Sequence, residues 1–226
     1  MKTALKVILR IFIAIVVIVV ACFIYLVIFE RNSEVTSKGK PIEKYDSVKS
    51  ALLVIDIQEA ITGRVSADEC YIKYSDTLIN KINRLIKKSG ENKIPVIYIR
   101  NELTNWFINL LNDSYAKGGK GAGLDKRLRI ISSDIVTKEK QDAFTNPLLD
   151  SILVRNRINK LYVVGIDAAY CVKSTILGAK NRGYYVAAIT DAILSKSDSL
   201  KNRMFSEYEK NNVKLMTSLD FLSGIK

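Results

Sequence analysis

The stretch that decides the fold runs from Leu161 to Ile189 and reads LYVVGIDAAYCVKSTILGAKNRGYYVAAI. Its two ends, Leu161–Ile166 and Tyr184–Ile189, are short apolar runs, which are typical of strands buried on both faces. Between them, Val172–Arg182 has a helix-like pattern that ends at Gly183. The order of strand, helix and strand predicts a right-handed crossover between parallel strands.

The same alternation extends over the rest of the chain from residue 50 onward. The pattern predicts strands at Ser50–Ile57, Ile94–Ile99, Ser133–Thr137 and Val213–Met216, and helices at Asp68–Ser89, Pro147–Asn156 and Asp198–Lys210. Strands that alternate with helices form a parallel sheet with helices on both of its faces. We therefore predict an α/β fold, with an open, mainly parallel, Rossmann-like sheet in a three-layer α/β/α arrangement.

The first thirty residues have a different character. Ile11–Phe29 (IFIAIVVIVVACFIYLVIF) carries no charge, and as a helix it would be about 28 Å long, close to the hydrocarbon thickness of a bilayer. A run of this length favours an uncleaved transmembrane signal anchor over a cleaved signal peptide. Val19–Cys22 also resembles a bacterial lipobox, in which the cysteine is lipidated, but the apolar run continues well past Cys22.

Charges on either side of the apolar run bear on its orientation. Lys2, Lys6 and Arg10 precede it and favour a cytoplasmic N-terminus, with the domain outside the cytoplasm. The signal is weak because the basic residues Arg31, Lys38, Lys40 and Lys44 follow the run. We divide the chain into a basic segment (1–10), a single-pass transmembrane anchor (11–29), a polar tether (30–48) and one catalytic domain (49–226).

Composition excludes several classes of function. The chain has no histidine, which rules out Ser-His-Asp and Cys-His catalysis and histidine-ligated metal sites. Its net charge of +12 suits an anionic membrane surface, and no basic stripe with interleaved aromatic residues indicates nucleic-acid binding. The cysteines Cys22, Cys70 and Cys171 do not form a disulfide framework. We predict neither a metal nor another cofactor.

Three reactive side chains follow predicted strands, at the edge where parallel strands end together. Asp56 lies near the end of the first strand, Lys138 follows the third, and Cys171 follows the fourth and opens a helix. Each has a structural explanation when taken alone: a turn cap, a solvated charge and a small buried residue, respectively. Together they predict a cleft in which the helix start and the lysine lower the pKa of the thiol and the carboxylate accepts its proton.

From about Ser50 to its end, the chain resembles the isochorismatase-like cysteine hydrolases, a family that includes nicotinamidases and carbamoylsarcosine amidases. LLVIDIQ matches the D-x-Q pattern of this family with Asp56 and Gln58. VTKEKQDAF places Lys138 six residues before Phe144, as in K-x5-F. The stretch around GIDAAYCV matches G-x5-C-V and is the most specific of the three.

This resemblance implies a catalytic triad of Asp56, Lys138 and Cys171. It also implies a non-proline cis peptide bond at Ile166–Asp167, which directs the N–H groups of Asp167 and Cys171 into an oxyanion hole. The implied reaction is hydrolysis of a small amide or related C–N bond through a thioester. The nicotinamidase metal cluster is not expected, because it needs histidine.

The residues around the substrate are harder to place from sequence. Candidates for the substrate pocket are Gln58, Glu102, Trp106, Phe144, Ile166 and Tyr170. Glu102 and Trp106 are equally compatible with surface charge and lid packing, while an Asp167 carboxylate could repel acidic substrates or bind a cationic amine. The expected partners are a small-molecule substrate and the membrane, and assembly into a homo-oligomer is compatible with the family. Two alternatives remain open: a non-catalytic ligand-binding module and an isochorismatase-type vinyl-ether hydrolase, whose typical members do not rely on the cysteine.

Overall fold

A computed structural model describes residues 2–43, 45–66 and 68–224 of the chain. Lys44, one of the charges that bear on orientation, lies outside the described residues, as do Met1, Ala67, Ile225 and Lys226.

The described residues form one parallel sheet with helices on both faces, which confirms the predicted fold class. Its strands are β1 (Ser50–Ile55), β2 (Val96–Asn101), β3 (Ile135–Lys138), β4 (Lys160–Ile166), β5 (Tyr185–Leu194) and β6 (Lys214–Met216), in the spatial order β3-β2-β1-β4-β5-β6. The helices in this part of the chain are α1 (Lys2–Ser33), α2 (Glu69–Glu91), α3 (Trp106–Leu111), α4 (Pro147–Arg155), α5 (Cys171–Asn181), α6 (Asp198–Lys210) and α7 (Ser218–Gly224), with a 3-10 turn at Ala143–Thr145. Every strand pairing among these residues is parallel.

Two apolar layers cover the sheet because successive side chains of each strand point to opposite faces. In β1, Leu53 and Ile55 belong to the cluster that also contains residues of α4, α5 and α6. Leu52 and Val54 belong to the other cluster, together with residues of α2 and α7. A strand buried on both faces explains why β1 reads as a continuous apolar run.

The strand order reverses at β1 and β4, and the crevice at such a point is where open α/β sheets bind ligands. The two strands approach closely here, because Gly165 has a φ of 125° and a Cβ atom on it would lie 2.0 Å from the carbonyl oxygen of Ile55. Directly after β1, Asp56 has a φ of 54°, a left-handed conformation that aspartate adopts more readily than most residues. Both features belong to the crevice that holds the site described below.

Helix α1 contains the apolar run, and it is the one helix among the described residues long and apolar enough to cross a membrane. A signal sequence near an N-terminus has the same properties. The segment after α1 lies against the domain: the Gln141 N–H donates to the carbonyl of Ser33 at 2.9 Å. The N–H and Oγ of Ser37 both donate to Oδ2 of Asp142, at 2.8 and 2.6 Å.

Candidate active site

Asp56, Lys138 and Cys171 meet at the carboxyl edge of the sheet. Asp56 follows β1, Lys138 is the last residue of β3, and Cys171 is the first residue of α5. Nζ of Lys138 lies 2.9 Å from Oδ2 of Asp56 and 3.2 Å from Sγ of Cys171. The ammonium group therefore bridges a carboxylate and a sulfur atom.

The ion pair in this cluster is almost completely buried, with Asp56 2% and Lys138 1% exposed. Burial of the Lys138 ammonium lowers its pKa, but Asp56 and Cys171 raise it by more, so its pKa lies above the ordinary lysine value. Lys138 is therefore a permanent cation. Oδ1 of Asp56 is buried and has no hydrogen-bond donor among the described residues, which leaves one carboxylate oxygen free to accept a proton.

The pKa of the thiol differs from the prediction. Burial raises the pKa of Cys171, Asp56 raises it further, and Lys138 lowers it only in part, so that it reaches about 12. The expectation of a lowered pKa was wrong because the sequence shows the helix start and the lysine but not the burial and the adjacent carboxylate. Cys171 is therefore a neutral thiol rather than a thiolate.

The resemblance to the family assigns two backbone N–H groups, those of Asp167 and Cys171, to an oxyanion hole. The peptide bond Ile166–Asp167 is cis. Neither the Asp167 N–H nor the Cys171 N–H has a hydrogen-bond acceptor within the part of the chain that the structure describes. The residue before the helix, Tyr170, provides no side-chain cap. Free N–H groups at a helix start favour negative charge on a nearby atom.

A cavity of about 420 Å³ lies next to Cys171 and Asp56. Its lining includes Ile166 and Tyr170, which are two of the predicted pocket residues, and Asp167. Its other walls include Ile61, Tyr71, Asn101, Tyr115, Gln141 and Lys196, together with Glu30 and Ser33 from the end of α1. A larger cleft of about 550 Å³ includes Glu102 and Lys138 but neither Asp56 nor Cys171, so the smaller cavity is the better candidate for the substrate.

The other four candidate pocket residues do not line the smaller cavity. Gln58 is buried and links β1 to neighbouring backbone, since its Nε2 donates to the carbonyls of Asn101 and Ala122, each at 2.9 Å. Phe144 packs in the core, and Glu102 forms an ion pair with Arg100 at 3.3 Å. Trp106 lies on α3, where it is 75% exposed.

Asp167 lines the cavity, and its carboxylate is engaged by four hydrogen-bond donors of the protein. Its oxygens accept hydrogen bonds from Tyr71 Oη at 2.6 Å, Ser195 Oγ at 2.9 Å, the Ala169 N–H at 2.5 Å and the Lys196 N–H at 3.1 Å. Four donors leave it little capacity to bind a cationic amine. They hold in place the residue whose N–H the resemblance assigns to the oxyanion hole.

Tyr71 and Tyr115 also line the cavity and were not among the predicted pocket residues. Burial raises the pKa of Tyr71, and the hydrogen bond it donates to Asp167 raises it further, so Tyr71 stays protonated. Burial and the nearby Asp56 carboxylate likewise raise the pKa of Tyr115. Tyr71 lies on the apolar face of α2 and reads as an ordinary core residue, while Tyr115 belongs to a loop without regular periodicity.

Comparison with known proteins identifies the family. A sequence model of the isochorismatase domain matches residues 50–220. The chain belongs to the isochorismatase family. This confirms the resemblance seen in the three motifs.

Individual relatives are distant. The chain is 27% identical over 171 residues to a ureidoacrylate amidohydrolase of Acinetobacter baylyi, and the aligned region covers 64% of this chain and 70% of that protein. It is 25% identical over 149 residues to an N-carbamoylsarcosine amidase of Arthrobacter, and the aligned region covers 60% of this chain and 56% of that protein. A cysteine hydrolase from Pseudomonas syringae shares the fold with a TM-score of 0.70 and 20% identity, covering 84% of this chain and 98% of that one.

Proposed function

We propose that the chain is a membrane-anchored cysteine hydrolase that cleaves a small amide or related C–N bond through a thioester. Membership of the isochorismatase family and two distant relatives named as amidases support a hydrolase of amide C–N bonds. The observation that carries the finer proposal is the position of Nζ of Lys138, 2.9 Å from Asp56 and 3.2 Å from the sulfur of Cys171.

In the first half of the reaction, the thiol proton of Cys171 passes to Asp56 as the sulfur attacks the carbonyl carbon. Lys138 stabilises the negative charge on the sulfur, and the free N–H groups of Asp167 and Cys171 receive the oxyanion. Loss of one such donor typically costs about 2.7–4 kcal/mol of transition-state stabilisation. The C–N bond then breaks, Asp56 returns the proton to the leaving nitrogen, and a thioester remains on Cys171.

In the second half, water attacks the thioester carbonyl carbon and transfers a proton to Asp56. The C–S bond breaks, the acid leaves, and the proton returns from Asp56 to the sulfur of Cys171. A permanent cation next to the sulfur and a carboxylate with one free oxygen serve both halves of this cycle. The Cys171 thiol favours amide hydrolysis through a thioester over vinyl-ether hydrolysis. The presence of all three residues, Asp56, Lys138 and Cys171, disfavours a non-catalytic binding module.

The anchor and the cavity size complete the proposal. α1 leaves most of its apolar surface exposed, which supports a single-pass membrane anchor. The basic residues Lys2, Lys6 and Arg10 before the span support an extracytoplasmic domain. A cavity of about 420 Å³ lies within the usual size range for small-molecule sites. The substrate is therefore a small molecule with an exposed amide or ureide group.

The test is a comparison of Cys171→Ala with Cys70→Ala. The purified full-length protein is screened against small amides and ureides for ammonia release, and each variant is assayed on whichever compound turns over. Cys70 is exposed and lies outside the cavity, so its variant should keep full activity, whereas Cys171→Ala should lose it. Equal activity in the two variants would refute the cysteine mechanism.

A further inference from the structure

Helix α3 carries an unusual surface. It has the sequence WFINLL, and none of its residues is buried. Trp106 is 75% exposed, Leu110 72% and Leu111 60%. Large apolar side chains clustered on one exposed helix indicate a surface that contacts something apolar.

This helix is held in place at the tip of a loop. The two ends of the loop pair with each other, because the Leu103 N–H donates to the Tyr115 carbonyl at 2.7 Å and the Lys117 N–H donates to the Leu103 carbonyl at 3.1 Å. The side chain of Asn105 caps α3 by accepting from the N–H groups of Phe107 and Ile108, each at 3.1 Å. The exposed apolar residues are therefore presented on a defined element.

The helix contacts α1 at Tyr25, within the apolar run. Nδ2 of Asn105 donates to Oη of Tyr25 at 2.5 Å. The rings of Tyr25 and Phe107 meet edge to face, with centroids 5.4 Å apart. Tyr25 precedes Phe29, the last residue of the run, by four residues, or about 6 Å along a helix axis.

We propose that α3 is a second membrane contact, which lies in the interfacial region of the bilayer that α1 spans. The inference rests on the membrane anchoring proposed above. The contact between the two rings places Phe107 at the level of Tyr25, so a bilayer that reaches Tyr25 also reaches the start of α3. Amphipathic helices in the interface bury their apolar face about 5–10 Å into the boundary between headgroups and acyl chains, which agrees with the level of Tyr25. Tryptophan and tyrosine are enriched at this depth.

Two membrane contacts determine how the domain faces the bilayer. The end of α1 contributes Glu30 and Ser33 to the cavity wall, directly after the apolar run. Tyr115, at the base of the loop that carries α3, lines the same cavity. With α1 across the bilayer and α3 in its interface, the mouth of the cavity faces the headgroup region, and substrate enters from the membrane surface.

The chain contains one tryptophan, so the intrinsic tryptophan fluorescence reports Trp106 alone. Full-length protein is incorporated into nanodiscs whose lipids carry bromine on the acyl chains, and quenching by these lipids is compared with quenching by aqueous iodide. We expect blue-shifted emission, strong quenching by the brominated lipids and little quenching by iodide. Leu110→Asp/Leu111→Asp should shift the emission to the red, weaken quenching by the brominated lipids and strengthen quenching by iodide.

The matched control is Trp106→Phe/Tyr185→Trp. Tyr185 is 71% exposed and begins β5 at the amino edge of the sheet, opposite the cavity. Its tryptophan should be quenched by iodide and not by the brominated lipids.

Each contrary outcome overturns the inference in a recognisable way. If the protein co-elutes with the discs but Trp106 is quenched only by iodide, α3 lies in water while the anchor stands. If Trp106 is shielded from both quenchers, another protein surface covers α3 instead of lipid. If the protein does not co-elute with the discs, the anchor and the α3 contact fail together, and ammonia release from the same sample reports the hydrolase separately.

Discussion

Replacing Lys138 with methionine tests the buried ion pair by removing its charge at nearly constant volume. Among the residues that the structure describes, Oδ2 of Asp56 has Lys138 as its donor and Oδ1 has none. The variant therefore leaves a 2% exposed carboxylate without a partner on either oxygen. Breaking a buried pair in this way costs about 3–5 kcal/mol, or about 6–20 °C in Tm for a domain of this size.

The second variant of this experiment is Asp56→Asn/Lys138→Met, which removes both charges. Its free energy of unfolding is measured with urea on the full-length protein in detergent. The double variant should lose less stability, relative to the unaltered chain, than Lys138→Met alone. The non-additivity in this double-mutant cycle measures the coupling between the two groups. Two outcomes would refute a stabilising buried pair. One is that the losses in the free energy of unfolding are additive, and the other is that Lys138→Met loses less than about 1 kcal/mol, which is the scale of an exposed pair.

Three further predictions address the thiol, the cavity wall and the segment after α1. Because the pKa of Cys171 is raised to about 12, alkylation of Cys171 at neutral pH should be slower than alkylation of the exposed Cys70 and should accelerate only at alkaline pH. Mass spectrometry of the labelled peptides measures both rates. Faster labelling of Cys171 than of Cys70 at neutral pH would contradict the raised pKa. Tyr71→Phe removes a buried hydrogen bond to the Asp167 carboxylate and should lower the free energy of unfolding by about 1.5–3 kcal/mol. Tyr74→Phe, on the same helix but 49% exposed, should leave the free energy of unfolding unchanged. Equal effects of the two substitutions would show that the hydrogen bond from Tyr71 does not stabilise the fold. Ser37→Ala removes the hydroxyl that donates to a buried carboxylate and should speed tryptic cleavage within residues 34–43; an unchanged cleavage rate would show that this hydroxyl does not hold the segment.

The sequence predicted the sheet well because its strands are buried on both faces. Short continuous apolar runs such as Leu161–Ile166 are typical of strands covered by helices on both sides, and here the runs alternate with helical segments. The convergence of Asp56, Lys138 and Cys171 at one edge follows from the same topology, since all the described strands point the same way.

The sequence could not predict what depends on distant donors or on burial. The four groups that bond the Asp167 carboxylate come from residues 71, 169, 195 and 196, so the carboxylate looked free to meet substrate. The raised pKa of Cys171 comes from burial, which no local motif reports. Trp106 was predicted as a pocket residue because it follows the second strand, and the sequence does not show that Trp106 is exposed on the short helix α3.

The central claim is that the sulfur of Cys171 is the nucleophile of a hydrolase. Its most direct test is mass spectrometry of the enzyme quenched with acid during turnover of an active amide, followed by proteolysis. The account predicts that the peptide containing Cys171 carries the mass of the acyl group and that the adduct disappears when the substrate is exhausted. Steady turnover with an unmodified Cys171 peptide and the acyl mass on another residue would contradict it.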